Sequence, residues 1–496
     1  MASKVLVSER CSVATEHPLA SKAGVDVMRA GGNAFDAAVA ASFTLSVVLP
    51  HLGGLGGDFF ALFYSADTSE IACLNSSGWA PSGLTVEALR GSKFTEMPLF
   101  GRRSVTVPGM VGGVEELHRR FGRLEFGPLL DRAVRLAERG FPVSAGLARG
   151  FGSYRGSLSR EALLAFGALG FGPQPGESLA QRQLAFTLRD IAEGGSGAFY
   201  KGDPAEEMAA EIGTDLPEVN RDDFAFTPEW VDPLSIEYRG REVFEVPPNS
   251  MGAAALMILK RIESENPPPP DSAERVMSVT QATREALAAK DEFIGDPRFA
   301  GFDLWGFVDS KLRPGGAPVR GGDTTYFAVA DSRGNILSCI QSLFHPFGSR
   351  VYLKRSGFFL NNRASAFKFQ GPNKLEPRKR PAHTLSALLL SNAPGEAPRL
   401  AMGTSGGERR PQLHALFVSN VVDYSMSLEE ALSYPRFVWD GAETQAERGY
   451  KVGGGGAGVR VVDYPARQGV AQGIEISARG REAVCDVRGE GEPAGF

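Results

Sequence analysis

The apolar residues of this chain change their spacing several times along its length. In SKAGVDVMRAGG, which follows His17-Pro18-Leu19-Ala20, the positions Ala23, Val27 and Ala30 recur at helical spacing and share a face, and Gly31-Gly32 stops the helix. Asn33 can cap a second helix, with Ala37, Ala38, Ala41 and Leu45 at helical intervals. So many alanines on one helix predict close helix packing in a core. The glycine-rich stretch HLGGLGG then leads into an apolar strand, Phe59 to Tyr64. Further helices are predicted from Pro128 to Arg139, ending at Gly140, and from about Ser272 to Lys290. Between apolar helices, Pro267 to Pro270 form an extended spacer.

The most regular β pattern follows a loop, Gly315 to Asp323. TTYFAVA and ILSCIQS read as two strands joined by the polar turn DSRGN. Symmetry about Arg333 places Ser342 opposite Thr324, on the same face with Cβ atoms about 5 Å apart. A bulge in the turn would shift that register by one. Near the C-terminus, Gly453 to Gly456 predict a mobile loop.

Composition narrows the function classes. The 496 residues are 43% hydrophobic and 22% charged, which suits a soluble globular protein and excludes a disordered chain. The net charge of -5 gives no electrostatic reason to expect nucleic acid binding. Charge is uneven: residues 324–496 hold 21 Lys/Arg against 16 Asp/Glu, and residues 1–323 hold 32 against 42. Either the positive part favours an anionic substrate, or the difference is a fluctuation. Cys11, Cys73, Cys339 and Cys485 lie far apart, with neither a disulfide framework nor a zinc spacing. The N-terminal residues lack the apolar core of a signal peptide, and residues 37–50, interrupted by Ser42, Thr44 and Ser46, are too short to span a bilayer. A cytoplasmic location is therefore expected. The order helix, glycines, strand around residue 55 is the reverse of a dinucleotide fingerprint, and no Gly-Lys-Ser/Thr is present for a phosphate loop. No metal or organic cofactor is suggested.

Two short motifs can carry chemistry. Gly403-Thr404-Ser405-Gly406-Gly407 fits the nucleophile elbow G-x-S-x-G. After Ser405, however, the only histidine is His414, and the only acid between them is Glu408, so a triad cannot close. The other reading is a glycine turn whose backbone N–H groups face a developing negative charge. The second motif is Gly321-Gly322-Asp323-Thr324-Thr325. As it stands it is a loop entering a strand. If the Asp323–Thr324 bond is cut, Thr324 gains an α-amine with an ordinary pKa of about 7.7–8.0. That amine can take the proton from its own hydroxyl, so one residue supplies nucleophile and base.

These motifs sit within a longer resemblance. The blocks HPLASKAGVDVMRAGGNAFDAAVAA, PHLGGLGGDFF, SVTVPGMVGG, GDTTYFAVADSRGN, SLFHPFGS, GFFLNNR, KRPAHTLS, GTSGG and DYSMSLEEALSYPRF are collinear with the γ-glutamyltransferase family of N-terminal nucleophile hydrolases, which the chain resembles over most of its length. The resemblance implies an α+β fold, a four-layer αββα sandwich, made as one precursor. It implies self-cleavage between Asp323 and Thr324 into portions 1–323 and 324–496, which remain together as a heterodimer forming one intertwined domain. It also makes Thr324 first the self-processing group and then the catalytic nucleophile, Ser342 its supporting hydroxyl, and Gly406 and Gly407 the oxyanion-hole glycines.

The departures from the family concern substrate. The position of an Arg that binds the glutamyl α-carboxylate is Ser77, followed by Trp79, and that of an Asp for the α-amino group is Ala366. Arg363 stands where Gln or Glu is usual, His383-Thr384 replace a Ser-Ser pair, and Phe344 replaces an Asn. The segment from Ala364 to Arg378 is short, so no long lid is expected. Together these resemble the acylase-type branch, with glutaryl and cephalosporin acylases. Losing two charge-assisted contacts weakens discrimination for an α-amino acid head group. Arg363 either binds a carboxylate from another direction or forms an ordinary ion pair. His383 and Thr384 are expected as substrate-binding residues; His383 is either a hydrogen-bonding pocket residue or purely structural, and not the general base, since the Thr324 amine fills that role. The expected function is cleavage of γ-glutamyl amides of the glutathione type through a threonine acyl-enzyme. The alternatives are an acylase of glutaryl or cephalosporin-type amides, and a non-catalytic scaffold of the same fold.

Overall fold

The hairpin predicted around Arg333 forms the centre of a seven-stranded sheet. In this computed structural model, which describes residues 4–170, 172–311, 322–452 and 458–496, strands Asp323–Ala330 and Ile336–Phe344 pair antiparallel. Ser12–Thr15 and Pro493–Gly495 extend the sheet on one side; Asp58–Ser65, Glu70–Ser76 and Glu229–Val231 extend it on the other. A second seven-stranded sheet has the order Lys4–Ser8, Gly480–Cys485, Ala471–Ser477, Leu400–Thr404, Leu388–Leu390, Arg241–Glu245, Leu234–Tyr238.

The two-residue period of the strands sorts their side chains between layers. Phe60, Leu62, Tyr326, Ala328 and Ile340 point between the sheets and meet Leu389, Ala401 and Ile474. The alternate residues Phe59, Ala61, Phe63, Phe327 and Cys339 point outward to a helical layer containing Pro18–Arg29, Ala34–Val48 and Met110–Phe121. On the outer side of the second sheet lie Gly252–Glu263, Ala273–Phe293 and Arg410–Asp423. The result is the four-layer αββα sandwich. Strands from both sides of residue 323 contribute to each sheet.

Ala34–Val48 is buried along its whole length, and Asn33 caps it in a reciprocal pair with Asp36. The preceding helix differs from expectation. Its buried residues are Ala20, Ser21, Ala23, Gly24, Val25 and Met28, while Val27 is half-buried and Ala30 exposed. The helix rests on Gly24, where a Cβ would lie 3.2 Å from the Ala37 carbonyl, and this close approach turns the face away from Val27. The helix expected over 128–139 is divided into Phe126–Leu129 and Asp131–Arg139. The long later helix runs Ala273–Phe293 with Ser272 as its cap. All four cysteines are free and buried. Among the described residues no helix is long and apolar enough to cross a membrane. The glycine run 453–456 and most of the loop before Asp323, Gly321 included, lie outside the described residues.

Candidate active site

Three polar side chains stand side by side on the inner face of the first sheet, at one end of the sandwich. Ser342 pairs directly with Asp58 on one neighbouring strand. On the other side the hairpin keeps the predicted register from Thr325↔Gln341 to Ala330↔Ile336. A bulge between Asp323 and Thr325 then shifts Asp323 opposite Phe344, so the irregularity falls at the strand entrance rather than in the turn. This places Thr324 beside Ser342. The Thr324 hydroxyl donates to Ser342 Oγ at 3.2 Å, and Ser342 Oγ donates to the Asp323 carbonyl oxygen at 2.8 Å. Ser342 Oγ also accepts from the Phe344 N–H at 2.8 Å. Both hydroxyls are buried. Gly57 permits this packing, because a Cβ there would stand 2.5 Å from the Ser342 carbonyl oxygen.

Asp58 organises the next ring of groups. Its Oδ1 accepts from the Gly78 N–H at 2.8 Å, and its Oδ2 lies 2.9 Å from His383 Nε2. The Leu385 N–H donates to His383 Nδ1, so Nε2 carries the ring proton and donates to Asp58. Burial, followed by the nearby Arg363 charge, pushes His383 down to about 3. The ring is neutral at pH 7 and is a hydrogen-bonding residue. Arg363 pairs with Asp58 at 3.5 Å, donates to Thr384 Oγ1 at 3.1 Å, and stacks over the Phe344 ring at 4.1 Å. It is wholly enclosed, not a surface ion pair. Burial lowers it to about 10, so it stays charged.

Two cavities flank these residues. One of about 180 Å³ is bordered by Phe344, Ala366, His383, Thr384, Lys290 and Trp439. The other, about 850 Å³, is bordered by Gly322, Asp323, Gly406, His51, Glu16 and Arg467. Gly406 thus borders the same space as Asp323, and the adjoining Gly407 is buried. Both take positive φ, 125° and 60°. The nucleophile-elbow reading has no support in the geometry: Ser405 Oγ accepts from the Val470 N–H, and His414 Nδ1 is 2.6 Å from Glu245. The Ser77 hydroxyl donates to Asn75 Oδ1, and its carbonyl accepts from Arg380 Nε. Sequence reasoning missed Asp58, although its place after two glycine pairs at the start of an inward-facing strand could have marked it. Among the described residues no group of His, Cys, Asp or Glu could hold a metal ion.

The family model for gamma-glutamyltranspeptidase matches residues 20–496. The chain belongs to the gamma-glutamyltranspeptidase family. It is 35% identical to the glutathione hydrolase-like YwrD proenzyme of Bacillus subtilis (strain 168), over 99% of this chain and 100% of that protein. It is 31% identical to the oxamate amidohydrolase proenzyme of Klebsiella pneumoniae, over 99% of each. The crystal structure of cephalosporin acylase from Bacillus halodurans superposes with a TM-score of 0.91 at 30% identity, covering 99% of this chain and 97% of that one. The chain is therefore an enzyme of the N-terminal nucleophile class that acts on amide bonds.

Proposed function

We propose that this gamma-glutamyltranspeptidase family member cuts itself between Asp323 and Thr324 and then hydrolyses or transfers acyl groups from amides through a Thr324 acyl-enzyme. The observation that carries this reading is Ser342 Oγ, which accepts from the nucleophile's hydroxyl while donating to the carbonyl to be attacked. In self-cleavage Thr324 Oγ1 bonds to the Asp323 carbonyl carbon. Its proton passes to Ser342 Oγ, and the Ser342 proton passes to the former carbonyl oxygen. As the C–N bond breaks, that hydroxyl proton goes to the Thr324 nitrogen and an ester remains. Water then releases the Asp323 carboxylate and restores the Thr324 hydroxyl.

The freed amine now takes the hydroxyl proton when a substrate amide is attacked. Gly406 and Gly407 offer N–H groups to the oxyanion, where positioned donors contribute about 100-fold or more. The acyl group enters the cavity bordered by Phe344, Ala366, His383 and Thr384. Portions 1–323 and 324–496 remain one heterodimeric unit, because strands of each lie between strands of the other. Four free buried thiols suit a reducing cytoplasm.

The acyl group is γ-glutamyl, as in glutathione-type amides. A second reading is a glutaryl or cephalosporin-type amide. It is favoured by Ala366, which offers no carboxylate to an α-amino group, and by the similarity to the cephalosporin acylase. Release of p-nitroaniline from γ-glutamyl and glutaryl anilides separates the two. A protein that is processed yet releases neither defeats both.

A further inference from the structure

The glycine turn stands between the two cavities: Gly406 borders the large one and Glu408 the small one. Its two ends are tied down within the portion that follows residue 323. The Ser405 N–H donates to the Val470 carbonyl at 3.0 Å, and the Val470 N–H donates to Ser405 Oγ at 2.9 Å. Arg410 Nε donates to the Thr404 carbonyl at 2.7 Å. The middle of the turn is held from the other portion. Lys290 Nζ donates to Glu408 Oε1 at 2.7 Å, and Glu408 directly follows Gly407.

Lys290 lies on helix Ala273–Phe293, whose residues Arg284, Leu287, Ala288 and Asp291 recur at helical spacing and form one wall of the small cavity. The helix is also fixed against the later portion elsewhere along its length: Arg284 lies over the Trp439 ring at 5.1 Å, and the Thr280 and Thr444 hydroxyls are 3.2 Å apart. Lys290 pairs with Asp291 at 3.2 Å, and Asp291 with Lys368 at 3.1 Å. Charges of alternating sign thus run from the glycine turn to the segment just beyond Ala366. The Lys290 side chain is 14% exposed and that of Glu408 16%, so the bond between them is largely shielded from salt and water. Burial works against the Lys290 charge, but Glu408 and Asp291 outweigh it and hold the ammonium above its ordinary range.

We infer that Lys290 is a positioning residue for the acyl-transfer step: through Glu408 it fixes the turn that presents the Gly406 and Gly407 N–H groups, and it cancels the Glu408 charge beside the developing oxyanion. The inference rests on the proposed Thr324 chemistry. Two physical demands meet in this one ammonium. Donors to an oxyanion are most effective when they are held in place before the charge forms. A bare carboxylate next to them would oppose that charge. Two successive glycines at positive φ hold a turn loosely by themselves, so an outside anchor matters here. That anchor comes from residues before position 323, so the earlier portion of the chain completes the site of the later one.

The test uses γ-glutamyl or glutaryl p-nitroanilide, whichever processed wild type cleaves, with Lys290→Met, Lys290→Arg, Glu408→Ala and the double variant Lys290→Met/Glu408→Ala. Lys290→Met should lower kcat about 30-fold while KM changes by less than about 2-fold. Glu408→Ala, which frees the turn but leaves no bare carboxylate, should lose about 5-fold in kcat. The double variant should recover to the Glu408→Ala level, because the two side chains act as a unit. Lys290→Arg, which keeps the charge and can reach the same carboxylate, should stay within about 3-fold of wild type. Self-cleavage, which uses Ser342 and not the glycine turn, should keep its wild-type rate in all four. Should Lys290→Met fail to fold, Glu408→Ala decides by the same measures. Wild-type kcat in either single variant, a loss confined to KM, a double variant slower than both singles, or slowed self-cleavage overturns the inference and leaves the proposed function standing. Processed wild type that releases neither anilide defeats the proposed function, and this inference with it.

Discussion

Ser342 Oγ touches both groups that the proposed self-cleavage would join: it accepts from the Thr324 hydroxyl at 3.2 Å and donates to the Asp323 carbonyl oxygen at 2.8 Å. A third bond, from the Phe344 N–H, fills its remaining lone pair and fixes its orientation. In the proposed reaction, nucleophile activation and carbonyl polarisation thus fall to one side chain.

Replacing Ser342 with Ala removes both effects while deleting a single oxygen. Self-cleavage should slow by about 100-fold, the scale of losing one positioned donor. Ser342→Thr, which keeps the hydroxyl, should restore it. Time courses on denaturing gels measure this, and cleavage by Ser342→Ala at the wild-type rate would rule out the relay.

Asp58 neutralises Arg363 and holds His383 and the Gly78 N–H in a fully buried cluster. Asp58→Ala leaves the Arg363 charge uncompensated, and such losses cost about 3–5 kcal/mol. Urea unfolding of the uncut protein should show it. A companion Asp58→Asn, which retains two hydrogen-bonding atoms but no charge, should lose less.

Ala366 borders the small cavity. Ala366→Asp places a carboxylate where a substrate α-amino group can meet it, and a charge-assisted bond is worth about 1.5–3 kcal/mol. The ratio of kcat/KM for γ-glutamyl over glutaryl anilide should rise at least about 10-fold. An unchanged ratio would show that the acyl group lies elsewhere.

Acid stability follows from buried histidines. Burial, with Arg467 and Arg149 adding, pushes His51 down to about 3, and burial pushes His17 down to about 4. In the unfolded chain both titrate near 6.5. Between these values the unfolded chain binds more protons, so stability is whole above 6.5 and is lost as pH falls towards 3–4. Each contributes at most about 1.4 kcal/mol per pH unit in that window. His51→Asn should show a smaller drop in Tm between pH 7 and pH 5 than wild type, and equal drops would contradict the assignment.

Much of this was readable in the sequence because the signals were local. The hairpin register from Thr325 to Ala330 follows from strand lengths and a short polar turn, and the alanine-rich helix follows from its own period. The face of Pro18–Arg29 was not readable, because Gly24 meets Ala37 of the next helix and no periodicity carries that approach. Arg363 and His383 were recognisable by position, but their common partner Asp58 comes from a strand more than 300 residues earlier. The burial of Arg410 was hidden for a similar reason: an arginine opening a helix usually faces water, and this one is held inside by its Nε bond to the Thr404 carbonyl.

The proposed chemistry requires a free amino terminus at Thr324. Intact-mass analysis and N-terminal sequencing of active protein should find two chains of about two-thirds and one-third of 53.0 kDa, the smaller beginning Thr324-Thr325-Tyr326. Thr324→Ala should remain a single inactive chain. Active wild-type protein that consists solely of the uncut 496-residue chain would contradict the mechanism.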